Sequence, residues 1–168
     1  MKTIYLVRHA KSSWGVSSIA DIDRPLNERG YTDAYEMAKR LQKISIIAHI
    51  VSSPATRAIS TALIFARVCN VDVKKIDICD LLYESDIKRY TSVLSALSDE
   101  HSTVLLFGHN PIITEFANFF GGCGIESMPT CGIVGIEFNE ISWKSAGSAK
   151  GKMVRYDFPK NTTLPFVK

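Results

Sequence analysis

The stretch Ile4-Tyr5-Leu6-Val7-Arg8-His9-Ala10-Lys11-Ser12-Ser13-Trp14 runs apolar for four residues and stops abruptly at an arginine and a histidine. The pattern recurs twice. Ile50-Val51-Ser52-Ser53-Pro54 leads to Arg57, and Val104-Leu105-Leu106-Phe107 leads through Gly108 to His109, so three apolar segments each deliver a basic side chain. Short apolar runs of this kind, bounded by polar turn residues, read as strands.

Between and after them the spacing changes to that of helices. Trp14 to Ser18 reads as a loop. Leu26-Asn27-Glu28-Arg29-Gly30 then introduces Ala34, Met37, Ala38 and Leu41, whose separations of three and four predict a helix. After the strand at Ile50 to Ser52, Ser53 is expected to cap a helix with Pro54 at its first position and Arg57 in its first turn, continued by Ala58, Ala62, Leu63 and Ala66. Val73 to Ile78 reads as a third strand and Ile87 to Leu97 as a helix. Thr103 to Phe107 reads as a fourth strand, followed by Gly108-His109-Asn110-Pro111, in which Asn110 caps and Pro111 opens a helix through Phe119. Gly121-Gly122-Cys123-Gly124 is a turn, and Gly132 to Phe138 and Lys152 to Phe158 are strands expected to pair at the sheet's edge. Alternating strand and helix predict an α/β fold with a mostly parallel sheet.

With 168 residues, 46% hydrophobic and 22% charged, the chain is expected to fold as one domain, residues 1–168, with a substantial core. It has neither the polar bias of disorder nor an apolar stretch long enough for a membrane span. The chain enters its first strand at Thr3, leaving no room for a targeting segment, so a cytoplasmic location is expected. A net charge of +3 on scattered lysines forms no stripe for a nucleic-acid backbone. Cys69, Cys79, Cys123 and Cys131 lack zinc-site spacing and read as free thiols.

In a parallel sheet, ligands bind beyond the carboxyl ends of the strands, and Arg8, His9, Arg57 and His109 all fall there. Two guanidinium forks and two imidazoles in one crevice suit a tetrahedral dianion, so phosphate is the expected guest. A histidine can also attack phosphorus through one ring nitrogen when an acceptor holds the other N–H. His9, directly at the strand end with Arg8 beside it, is the better candidate for that nucleophile. Each residue alone is an ordinary strand-end polar group. Three strand exits with one chemistry make the functional reading the stronger.

These residues resemble the histidine phosphatase superfamily, the phosphoglycerate-mutase-like fold whose mark is Arg-His-Gly after the first strand. Here Ala10 stands third, which resembles the compact branch of phosphohistidine phosphatases of the SixA type. The resemblance extends through Asp23 to Gly30, Ser52 to Ala58, Leu82-Tyr83-Glu84, Gly108 to Pro111 and Pro129 to Gly132. It implies a three-layer α/β sandwich, a phosphorylated intermediate on His9, and phosphate binding by Arg8, Arg57 and His109, with no metal and no cofactor. It also makes Glu84 the nearest equivalent of the glutamate that protonates the leaving group in larger members; Asp80 and Asp86 compete for that role.

Ser12, Ser13 and Arg24 are expected near the phosphate, Arg24 equally as a structural ion pair, and Thr130 and Cys131 at the rim. Cys131 reads as a packing residue rather than a nucleophile. His49 and His101 are set aside, having no ligand partner at suitable spacing. An imidazole leaving group needs little protonation, whereas an alkoxide needs an acid. The resemblance implies phosphohistidine in a signalling or phosphotransfer protein as the substrate, which an absent or remote Glu84 would favour over ordinary phosphate esters. A phosphate ester of a small metabolite with Glu84 as acid is the alternative, and a phosphate-recognition module without turnover is a third reading.

Overall fold

The computed structural model describes residues 1–15 and 18–161. The loop predicted over Trp14 to Ser18 therefore lies partly outside the described residues, as does most of the tail after Pro159. The elements in chain order are β1 (Lys2–Arg8), α1 (Glu28–Gln42), β2 (His49–Ser52), α2 (Thr56–Val68), β3 (Ile76–Ile78), α3 (Ile87–Ser95), β4 (Thr103–Gly108), α4 (Ile112–Gly121), β5 (Ile133–Phe138), α5 (Trp143–Ala146) and β6 (Lys152–Asp157). They build a six-stranded sheet in the order β3-β2-β4-β1-β5-β6. The first four strands run parallel, and β5 and β6 add an antiparallel edge.

The central strands are apolar throughout because both their faces are covered. Successive side chains alternate between two cores. Ile4 and Leu6 of β1 and Val104 and Leu106 of β4 pack with Tyr90 and Leu94 of α3, Phe116 and Phe120 of α4, and Trp143 of α5. Tyr5, Val7, Leu105 and Phe107 pack on the other face with Met37 and Leu41 of α1 and Ala62 and Phe65 of α2. The result is the three-layer α/β sandwich the sequence implied.

This arrangement places the site. β1 and β4 are neighbours, yet the chain leaving β1 forms α1 on one face and the chain leaving β4 forms α4 on the other. A crevice opens where adjacent strands send their helices to opposite faces. Ser52, at the end of β2, lies beside Phe107 of β4, which brings a third strand exit to the same rim.

Several local expectations change. α2 begins at Thr56 with Ala55 as its cap, so Ser53 and Pro54 form a short connection rather than the helix start. α4 begins at Ile112, one residue after Pro111, and the Asn110 side chain accepts from the Thr114 hydroxyl at 2.7 Å instead of from a backbone N–H. The third strand is half its predicted length. Asp72 accepts from Lys74 N–H, and that local bond turns Val73–Lys75 into a 3-10 helix before β3. The loop joining β5 to β6 holds the short helix α5, which its polar composition concealed. Cys131 is fully buried rather than at the rim, and all four cysteines are free thiols. His49 and His101 stack at 4.5 Å, with Asp77 on His49 at 2.9 Å.

Candidate active site

Arg8 closes β1 opposite Gly108 of β4, and His9 continues the pairing by donating its N–H to the Gly108 carbonyl. The His9 side chain is then fixed by its own neighbour: Nδ1 lies 2.7 Å from the Ala10 carbonyl. A carbonyl only accepts, so Nδ1 carries the proton and the lone pair is left on Nε2. Ala10 itself is buried, and its N–H donates to Thr61 Oγ1, which in turn donates to the Arg57 carbonyl. Thr61 thus ties the β1 exit to the first turn of α2.

His109 follows β4, and its ring centroid is 5.0 Å from that of His9. Its Nε2 is 2.7 Å from Ser53 Oγ. Ala55 N–H donates to that same oxygen, so Ser53 links the ring to the connection before α2. Gly108 makes room for this turn: a Cβ there would lie 2.0 Å from the Tyr90 hydroxyl, which approaches His109 N–H at 3.4 Å.

The two arginines are gripped by their terminal nitrogens. Arg8 Nη1 donates to the Met128 carbonyl at 2.7 Å. Arg57, only 5% exposed, donates from Nη1 to the Asp21 carbonyl and from Nη2 to Asp21 Oδ2 at 2.9 Å. The Nε of each is buried and without a hydrogen-bond partner, and so is His109 Nδ1.

Burial dominates the titration of both imidazoles. It lowers His9, with His109, Arg57 and Arg8 adding to the effect and the Ala10 hydrogen bond opposing it, to about 3. Burial and then Arg57 lower His109 to about 4, with Asp21 opposing. Both rings are therefore neutral near pH 7 and stay neutral as pH falls through 6.5. Ring nitrogen NMR is expected to show no titration of either from about pH 8 to about pH 5, with the His9 proton held on Nδ1 throughout. An inflection near the ordinary histidine value would contradict this arrangement.

Of the remaining expected residues, Arg24 is placed by contacts rather than left free. Its Nε donates to Asp21 Oδ1 at 2.9 Å, its Nη1 to Ser12 Oγ at 2.9 Å, and its guanidinium stacks 3.7 Å over Trp14. Ser12 is thus a partner of Arg24, while Ser13 Oγ turns back to accept from Gly15 N–H. Glu84 is exposed, at φ 46°, and lines a cleft of about 220 Å³ together with His109, Asn110 and Pro111. Among the described residues no hydrogen bond or ion pair holds its carboxylate.

Sequence reasoning passed over three contributors. Ser53 orients His109 but was read as a helix cap. Tyr83 sits edge-on to His109 at 5.7 Å and donates its hydroxyl to Asp21 Oδ2 at 2.9 Å, a contact with a residue far away in sequence that no local motif marks. Asp21 accepts from Arg24, Arg57 and Tyr83. Partial desolvation works to raise its pKa, but the hydrogen bonds from Tyr83, Arg57 and Arg24 together outweigh it and hold the carboxyl near about 2.

Residues 4–87 match the model of the histidine phosphatase superfamily, branch 1. The chain belongs to that superfamily. An uncharacterized chloroplastic protein of Arabidopsis thaliana is 28% identical over 159 residues, covering 89% of this chain and 72% of its own. A probable phosphoglycerate mutase, GpmB, of Proteus mirabilis is 37% identical over 75 residues, which span 44% of this chain and 34% of the mutase. Among solved structures, the protein histidine phosphatase SixA bound to tungstate superimposes with a TM-score of 0.79 at 22% identity, covering 96% of this chain and 99% of that one. A chain from Agrobacterium tumefaciens assigned as SixA gives a TM-score of 0.73 at 29% identity over 81% of this chain and 91% of its own. Membership in the superfamily supports phosphatase activity. Among the described residues no helix is long and apolar enough to cross a membrane.

Proposed function

We propose that this chain is a phosphatase working through a phosphohistidine intermediate on His9 and acting on phosphohistidine in a signalling or phosphotransfer protein. One observation carries the reading. Arg8 Nε, Arg57 Nε and His109 Nδ1 are three buried polar atoms without partners, on the residues that flank the His9 ring. Buried polar atoms are rarely left unmatched, and a bound phosphoryl group would supply acceptors for the two guanidinium N–H groups beside His109. In the first step the His9 Nε2 lone pair forms a bond to phosphorus as the substrate's P–N bond breaks, and the departing imidazole takes a proton from solvent. Water then attacks phosphorus, the bond to His9 Nε2 breaks, and inorganic phosphate leaves. Arg8 and Arg57 would offset charge on the equatorial oxygens in both steps, with no metal required.

The free Glu84 carboxylate supports an imidazole as leaving group, since an alkoxide needs an acid held in place. Its position in the cleft beside His109 favours a second reading, in which it serves a small phosphate ester. Steady-state kinetics of Glu84→Gln on a phosphohistidine peptide and on an alkyl phosphate separate the two. The expected result is a change of less than about threefold on the peptide and a loss of about 100-fold on any ester activity. A matching loss on the peptide would sink the phosphohistidine assignment. Tight phosphate binding without turnover of either would instead indicate a recognition module.

A further inference from the structure

The two clamp arginines are anchored by groups of different charge. Arg8 rests on the neutral carbonyl of Met128, whereas Arg57 rests on Asp21, through its main-chain carbonyl and its carboxylate together. The same carboxylate takes Arg24 on Oδ1 and Tyr83 on Oδ2. Its side chain is 51% exposed, so water competes for it, yet side chains from three separate segments converge on it. Such convergence orders several rotamers and has to be matched by what it achieves.

The charges suggest what that is. With both imidazoles neutral, Arg8, Arg24 and Arg57 bring three positive charges and Asp21 one negative charge. The cluster's balance is then +2, opposite to a phosphoryl dianion. A third uncompensated positive charge would attract free phosphate and the transferring phosphoryl group alike. Uniform attraction of that kind does not speed the chemical step, and it slows release of the product.

We infer that Asp21 sets the geometry and the charge of the phosphate clamp, positioning Arg57 and Arg24 while cancelling one of the three arginine charges so that product phosphate is not over-bound. The inference rests on the phosphatase reading above and adds a residue to it. Asp21 acts through the arginines and so is a positioning residue.

Two substitutions separate its two contributions. Asp21→Asn keeps the main-chain carbonyl and a side-chain oxygen to accept from an arginine, but removes the charge. Asp21→Ala removes the side-chain anchor as well. Calorimetric titration with inorganic phosphate is expected to show binding about tenfold tighter in Asp21→Asn than in the unaltered protein, the scale of one partly screened charge at this range. Binding is expected to weaken in Asp21→Ala, whose arginines are no longer held. On a phosphohistidine peptide, KM and kcat are both expected to fall in Asp21→Asn, whereas KM rises in Asp21→Ala. A merely structural role would weaken binding in both variants, and that result, or unchanged phosphate affinity in Asp21→Asn, would overturn the inference. The binding arm requires no turnover. If the unaltered protein binds phosphate but hydrolyses nothing, the opposite shifts of the two variants still establish the charge-setting role while the phosphatase reading falls. If it binds no phosphate, both fall.

Discussion

Replacement of His9 by alanine is expected to lower kcat by about 10⁴-fold or more and to eliminate acid-labile labelling of the protein by substrate phosphate. In the proposed mechanism several features favour this one nitrogen. The Ala10 carbonyl fixes the tautomer, burial keeps the ring neutral, and the second imidazole is committed to Ser53 through the equivalent atom. His109 therefore has no free Nε2 with which to take over. The fold should survive the change, because the hydrophobic core on this face includes Ala10 and not His9. Intact-mass spectrometry after brief exposure to a phosphohistidine peptide checks the labelling, and circular dichroism checks the fold. If His9→Ala still acquires phosphate, the nucleophile lies elsewhere, and His109→Ala labelled in parallel identifies whether it moved there.

That the strand exit at Arg8 and His9 could be located from sequence has a physical basis. The β1 and β4 strands are apolar on both faces, so the point where each run breaks marks the end of a buried strand, and whatever follows stands at the sheet's carboxyl edge. The same signal marked Arg57, because β2 is buried along its whole length. β3 carried a weaker signal. It is a three-residue edge strand, and Asp72 forms a local turn over Val73–Lys75, where strand was expected.

The contacts that organise the site were not legible for a different reason. Ser53 meets His109 across 56 residues of sequence, Tyr83 meets Asp21 across 62, and Arg57 meets Asp21 across 36. No local periodicity encodes such pairings. Each depends on which loops the sheet order brings together, and β2-β4-β1 adjacency is a property of the folded chain. Local reading therefore offered a local role for Ser53, that of a helix cap, whereas its short contact is with a distant ring.

Arg57→Lys is expected to cost about 100- to 1,000-fold in kcat/KM, although it preserves the charge. The guanidinium uses two nitrogens for Asp21 and keeps a third, Nε, buried and unpartnered. A lysine ammonium has one nitrogen and no rigid fork, so satisfying the Asp21 carboxylate draws its donors away from the phosphoryl position. Its greater hydration also makes the 5%-exposed site a poor place for it. The loss should fall on kcat as well as KM, because in the proposed clamp a bond from Nε to the phosphoryl group would strengthen as charge builds on the equatorial oxygens. Thermal unfolding supplies the second measurement. Inorganic phosphate is expected to raise the melting temperature of the unaltered protein and to have little effect on Arg57→Lys, since a ligand stabilises only in proportion to its binding. Activity within about threefold of the unaltered protein would mean that charge alone is sufficient at this position. Arg57 would then be an anchor for Asp21 rather than an arm of the clamp. A large loss that Arg57→Lys shares with Arg57→Ala, with phosphate protection absent in both, would place the requirement on the fork itself.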